Sequence, residues 1–435
     1  MGEGRAFAFN ILVVEDEPNM RGDLERDLKE VIDNDKNFNT PRLVSSGHMA
    51  WDDLFRKRYH FISIDQNIPD NEGEPISADH GLSLWERIVE KNLLIYRIIY
   101  TAFGDTSYSN RTGRFGGTPY LEKKIGREKA GAYSSYEWAE YIKSTLEHDY
   151  IPFALEQAGR HLPLSLAERA RRALAAYHDK NFESYIRLWI EIWESILHLA
   201  FAQTLALCHQ AGISLGRIPG GTLAEQEQIL RDAWPKLAQQ NWMQPWLRYI
   251  GVGNRESSAG AGGLFLRSAS DPLRQLRNEL AHSFPADAWD QLTAEYKDPL
   301  LFLIDALAFW IENPLLLGAR YHPTQRRRVV GTAIMGDQVP FPLREIDIHD
   351  LAEIPKNTDE HICLIWHHEE NQSMILDLYP FVMFDRDPQG RPHLMLLARS
   401  TKQSDRWMYR SLSDGRLHSR FLPPAARQTI QTVFR

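Results

Sequence analysis

Apolar positions along the chain fall into three successive patterns. Between residues 1 and 146, short β-branched runs alternate with segments of helical period. Ile11–Val14, Phe61–Ile64 and Leu94–Tyr100 read as strands, and Met20–Ile32 and Gly81–Lys91 read as helices. This alternation predicts an open, doubly wound parallel α/β sheet with crossover helices, whose site lies at the carboxyl ends of the strands. From 147 to 320 the period becomes 3.6 throughout. Leu164–Tyr177, Asn181–Cys208, Leu223–Gln240, Asp271–His282 and Pro299–Ile311 predict a helical bundle, and the glycine-rich stretch Gly251–Gly263 predicts a mobile loop. From 321 to 435 the apolar runs shorten again. His361–Trp366, Met374–Phe384, Leu394–Ala398 and Trp407–Leu412, separated by Asp387–Gly390 and Ser413–Gly415, predict a small antiparallel β-rich domain, with Arg326–Arg328 as a linker before it.

Composition narrows the class. With 43% hydrophobic and 25% charged residues the chain is globular, not disordered. No run approaches the roughly 18 apolar residues of a membrane span, and Met1–Phe9 does not resemble a secretory leader, so a cytoplasmic protein without membrane contact is expected. Two cysteines, Cys208 and Cys363, build neither a disulfide framework nor a zinc cage. A formal charge of −8 argues against a nucleic-acid partner, but the average hides a gradient. Arg386–Arg435 carries 10 basic and 3 acidic residues, with Arg391, Arg399, Arg406, Arg410, Arg416 and Arg420 interleaved among aromatics. That mixture suits stacking and phosphate contact on single strands, and equally suits a hairpin sheet with a basic solvent face.

The first strand ends in Glu15-Asp16-Glu17 and the second in Asp65-Gln66-Asn67. Carboxylates at neighbouring strand ends form a hard oxygen cluster suited to magnesium and able to offer one carboxylate to phosphorus. Thr101 ends the third run with a hydroxyl, and Tyr120-Leu121-Glu122-Lys123 brings an ammonium from a further strand end. These residues carry a resemblance: the stretch from about 9 to 146 resembles the receiver domain of two-component response regulators. The resemblance implies a flavodoxin-like fold, with Mg2+ held by Glu15, Asp16, Asp65 and the Asn67 carbonyl. It further implies Asp65 as the phosphoacceptor, Thr101, Lys123 and Tyr120 as phosphoryl-sensing residues, and a histidine kinase or another phosphodonor as partner. Two departures stand out. Gly81 lies twelve residues beyond Pro69, with Asp70, Glu72, Glu74 and Asp79 between, and Lys124 follows Lys123 where the family has proline.

The second constellation lies on the helix ending at His282. Leu273, Leu276 and Leu280 form an apolar stripe, while Arg277 and His282 stand about 140° apart around the axis. A guanidinium can clamp a scissile phosphate, and an imidazole can serve as general base or acid. A capped helix with a structural Arg-Asn pair fits the same residues. Arg277-Asn278-Glu279-Leu280-Ala281-His282 resembles the signature of the HEPN superfamily. The resemblance implies a homodimer through the helical domain with a composite ribonuclease site of Arg277, Asn278 and His282. The resemblance implies further that such a site cleaves an RNA substrate by transesterification without a cofactor. Taken together, the chain reads as a phosphorylation-responsive effector that cleaves RNA, with bacterial stress or phage defence as its setting. The rival reading is a non-enzymatic response regulator whose helical domain only dimerises and whose C-terminal domain binds a partner protein or nucleic acid.

Overall fold

A computed structural model describes residues 6–33, 35–102, 120–123, 132–216, 221–240, 243, 246, 249–250, 265–280, 289–325, 327–336, 341–348, 361–369, 372–386, 390, 392–400 and 406–434. The chain divides into two compact units, Arg5–Ala154 and, apart from the first residues, Leu155–Arg435.

The first unit is built on five parallel strands: β1 (Ile11–Val14), β2 (Arg42–Val44), β3 (Phe61–Ile64), β4 (Tyr96–Thr101) and β5 (Tyr120–Glu122), in the order β2-β1-β3-β4-β5. That order belongs to flavodoxin-like sheets, in which the strand order reverses between β1 and β3 and leaves a crevice at their carboxyl ends. Helices α1 (Pro18–Ile32), α2 (Gly47–Arg56), α3 (Ala78–Glu90) and α4 (Ser135–Ser144) cover the sheet. Side chains of β1 and β3 alternate between its faces. Leu12, Val14, Ile62 and Ile64 pack with Trp51 and Leu54 of α2 and with Trp85 and Ile88 of α3. On the other face Ser63 accepts a hydrogen bond from Trp138 Nε1 of α4 at 3.1 Å. Local chemistry starts the helices. Pro18 opens α1, the Ser46 hydroxyl accepts from Met49 N at the head of α2, and Ser134 and Glu137 form a reciprocal capping box on α4.

The second unit begins in α5 (Tyr150–His161) and continues through α6 (Leu164–His178), α7 (Phe182–Gln210), α8 (Leu223–Leu237), α9 (Asp271–Leu280), α10 (Trp289–Glu295) and α11 (Lys297–Glu312). From Ser195 to Cys208 every residue of α7 is buried, which marks it as the central helix. Several of its buried polar groups are matched. Gln203 accepts from Trp310 Nε1 and Thr204 from Trp234 Nε1, each at 3.0 Å, and His198 meets Gln226 of α8 at 2.7 Å. Among the described residues, no helix is long and apolar enough to cross a membrane.

Two antiparallel sheets follow, one ordered β10-β9-β6-β7-β8 and one β11-β12-β13-β14. The first holds β6 (Leu315–Tyr321), β7 (Arg328–Ala333), β8 (Leu343–Asp347), β9 (Ile362–Glu369) and β10 (Gln372–Asp377). The second holds β11 (Val382–Arg386), β12 (Pro392–Ser400), β13 (Arg406–Ser411) and β14 (Leu417–Phe421), and α12 (Pro424–Val433) ends the described chain. β6 straddles the expected boundary at 321, so the β-rich part starts earlier than its apolar spacing predicts. Arg328 is no linker residue: it opens β7 and pairs with Asp347 and Glu345 of β8 at 2.7 and 2.9 Å. Gly251–Gly263 lies outside the described residues.

Candidate functional site

Parallel register puts Val14 beside Ile64, so β1 and β3 release their acidic ends at the same level and on either side of the topological crevice. Glu15, Asp16 and Asp65 each contribute a carboxylate oxygen to a group lying within 4.8 Å. Lys123, directly after β5, reaches between two of them: its Nζ donates to Glu15 Oε2 and to Asp65 Oδ2, both at 2.6 Å. All three partners are buried, and the Tyr100 ring lies 5.5 Å from the ammonium.

Among the described residues Lys123 is the cation paired within this acidic set, and the protonation energetics reflect the shortfall. Burial pushes the Glu15 carboxyl up to about 7, with the nearby Lys123 opposing and Asp65 reinforcing. Burial raises Asp16 as well. Burial works against the Lys123 charge, but the carboxylates of Asp65 and Glu15 outweigh it and hold the ammonium above its ordinary value. A hard divalent cation is the group that relieves such a set, since clustered carboxylate oxygens are its preferred ligands. The donor chemistry therefore fits Mg2+.

The remaining expected residues surround this cluster. Thr101, fully buried at the end of β4, accepts Lys123 N at its carbonyl at 2.7 Å, which fixes the strand end that carries the lysine. Asn67 N lies 3.4 Å from Asp65 Oδ1. The Tyr120 hydroxyl donates to Gln66 Oε1 at 3.0 Å. Gln66 is a buried amide that the sequence reading passed over, and its only signal was a polar residue directly after Asp65.

The acidic insertion after Pro69 is looped out. An antiparallel bridge between Ile68 and Ser77 closes its neck, and the Pro69 and Asp70 carbonyls accept from Gly47 N and His48 N, first-turn donors of α2 that have no acceptor within the helix. Its length therefore leaves the pocket intact. Gly81 returns to the backbone of Asp65 and Gln66 so closely that a Cβ would collide with both carbonyl oxygens. Lys124 lies outside the described residues.

The second constellation is reached only in part. Leu273 and Leu276 bury the inner side of α9, and Arg277 and Asn278 face outward. Arg277 Nε is engaged by Glu194 of α7. His282 lies outside the described residues, so the triad Arg277, Asn278 and His282 is not assembled among them. A neighbouring network escaped the sequence reading. Buried Glu227 of α8 accepts from Ser270 and Arg274, while Asp271 binds Arg274 and Arg231, each at 2.8 Å. This network anchors the start of α9 and leaves its far end free of it.

No family model and no curated protein matches the chain. Solved structures similar to its N-terminal third are receiver domains. One is the signal receiver domain of a putative Luxo repressor protein from Vibrio parahaemolyticus, 19% identical with a TM-score of 0.26, covering 34% of this chain and 95% of that one. Another is a CheY-like response regulator receiver domain protein from Methanospirillum hungatei JF-1, 15% identical with a TM-score of 0.25, covering 32% and 94%. The response regulator DrrB of Thermotoga maritima, an OmpR/PhoB homolog, is 17% identical with a TM-score of 0.26, covering 33% and 54%.

Proposed function

We propose that the chain is a phosphorylation-responsive regulator in which Asp65 accepts a phosphoryl group from a histidine kinase or another phosphodonor. The observation that carries this reading is the Lys123 ammonium held between Asp65 and Glu15 at the carboxyl end of a β2-β1-β3-β4-β5 parallel sheet. Glu15, Asp16, Asp65 and the Asn67 carbonyl would hold Mg2+, which when bound neutralises charge between the carboxylates and the incoming phosphoryl oxygens. An Asp65 carboxylate oxygen attacks phosphorus, and the bond to the donor's leaving atom breaks. Lys123 then transfers its contact from Asp65 to a phosphoryl oxygen, and the Thr101 hydroxyl donates to another. Phosphorylation thereby alters the surroundings of Gln66, the partner of Tyr120, and carries the signal to the pocket rim.

Incubation with a small-molecule phosphodonor and magnesium, followed by intact-mass measurement, tests the reading. One phosphoryl adduct is expected in the wild type and none in Asp65→Ala. An equal adduct in both would remove Asp65 from its role.

In the finer form of this proposal, the helical region 147–320 cleaves RNA through Arg277, Asn278 and His282 in a homodimer, and 321–435 contacts substrate or partner. Support comes from the outward position of Arg277 and Asn278 on α9. The ion pair of Arg277 with Glu194 favours the second reading, a non-enzymatic regulator with a dimerising helical region. Labelled RNA left intact by the wild type would decide for the latter, and degradation that His282→Ala does not slow would remove His282 from the assigned site.

A further inference from the structure

Residues directly opposed on neighbouring antiparallel strands share a face, so register maps the surface of β12–β14. Arg410 lies opposite Leu396 and Leu417, Met408 opposite Arg399 and Ser419, and Arg406 opposite Phe421. Arg399 joins this face only through a bulge. The register shifts between Leu397 and Arg399, whereas strict alternation would turn Arg399 to the side of Leu397 and Tyr409. The aliphatic stem of Arg399 then packs on Gly221.

Toward β14 the face is open. Phe421 is 64% and Leu417 37% exposed, with Arg399, Arg406 and Ser419 also exposed. Large apolar groups on an edge strand are what folded proteins ordinarily avoid, because such an edge invites unwanted pairing. Here they stand among arginines. Arg399 and Arg410 act on each other as like charges, and Glu194, the acid that acts on Arg410, is itself paired with Arg277. Arg410 gives Nη1 to the Gly415 carbonyl at 2.7 Å, but its buried Nε has no acceptor among the described residues. That Nε is closed to solvent, so what the face offers an anion is the charge of the exposed Arg399 and Arg406 with Arg410 beside them. Arg406 and Arg410 stand about 13 Å apart at roughly 3.3 Å per residue, a span suited to alternate phosphates of an extended strand.

We propose that this face of β12–β14 binds single-stranded nucleic acid, with a base stacked on Phe421 and phosphate oxygens met by Arg399, Arg406 and Arg410. Every base offers a π-face to an aromatic ring and every nucleotide a phosphate to a guanidinium, so the contact is tolerant of sequence. It requires neither phosphorylation of Asp65 nor cleavage of the strand.

The test is fluorescence anisotropy with the full chain, using labelled oligouridine and oligodeoxythymidine in chelator at several salt concentrations. Binding is expected to weaken with salt. Phe421→Ser should bind roughly ten-fold more weakly, and Arg399→Gln should flatten the log–log salt slope by about 0.7. The assay contains no phosphodonor or magnesium, which separates it from the phosphoacceptor reading, and oligodeoxythymidine lacks the 2′-hydroxyl that transesterification needs, which separates it from the nuclease reading. Both surface variants leave the core untouched, and circular dichroism checks that they fold. Absence of salt-sensitive binding, or equal affinity in wild type, Phe421→Ser and Arg399→Gln, would overturn the proposal. So would a change of oligomeric state in those variants without oligonucleotide binding, since the face would then serve self-association.

Discussion

Gly81 lies against the carbonyl oxygens of Asp65 and Gln66 with room for a hydrogen and nothing larger. The first turns of α3 are thereby pressed onto the strand end that carries the phosphoacceptor candidate. Gly81→Ala forces either the helix or the Asp65 backbone to move. A loss of about 1–3 kcal/mol is expected from overpacking, despite the better helix propensity of alanine. Urea denaturation measures it, and a variant as stable as wild type would show that the contact yields freely.

Lys123 supplies the buried counter-charge for Glu15 and Asp65. Lys123→Met leaves two buried carboxylates facing each other and is expected to cost about 3–5 kcal/mol. Magnesium should stabilise this variant by more than it stabilises the wild type, because it no longer shares the acids with an ammonium. Thermal melts with and without Mg2+ give both numbers, and an unchanged magnesium response would argue against metal binding in the pocket.

The Tyr120–Gln66 hydrogen bond ties the rim of the site to the residue after Asp65. Tyr120→Phe strands the buried Gln66 oxygen, and a loss of about 1–3 kcal/mol is expected. Gln66→Leu together with Tyr120→Phe removes both partners and should cost less than the two single changes added. A double-mutant cycle reads the difference, and full additivity would mean that the two side chains are not coupled.

His198 predicts an acid limb. Its imidazole is pushed down to about 4 by burial, with the Arg410 charge adding to the effect and Gln226 of α8 opposing it. Glu194, one turn away on α7, is the nearby acid that acts on Arg410. In the unfolded chain the ring takes up a proton near pH 6.5, and in the folded chain only near 4. The stabilisation is therefore complete above the unfolded value and is lost as pH falls between the two, by about 1.4 kcal/mol per pH unit at the steepest. His198→Gln should flatten that part of the stability–pH curve relative to wild type in urea melts.

Much of the first unit is legible in the sequence because parallel strands are covered on both faces. β1 and β3 are unbroken apolar stretches, apart from Ser63, with acids immediately after them. β2 is not legible, since three residues with an exposed arginine at an edge carry no pattern. β6 escapes for the opposite reason. Its leucines continue the apolar run of α11, and only Asn313-Pro314 marks the change of period. α12 is not among the elements the pattern predicts, although Pro424 occupies a first-turn position that suits it. For the pocket, Glu15, Asp16, Asp65, Thr101 and Lys123 could be named from residue type and strand ends. Gln66 could not, because its role depends on Tyr120 reaching across from β5. The looping-out of 68–77 could not either, because a bridge between Ile68 and Ser77 is a backbone event that leaves no trace in side-chain periodicity.

The ammonium that balances Glu15 comes from 108 residues further along the chain. A growing chain that has made β1 and β3 but not β5 brings two acids side by side without the ammonium that balances them in the finished sheet. The sheet therefore gains its charge balance only when its last strand arrives, and the earlier strands have an electrostatic reason to remain unsettled until then. The N-terminal unit is accordingly expected to fold in one cooperative step, with the completed pocket as its closing event.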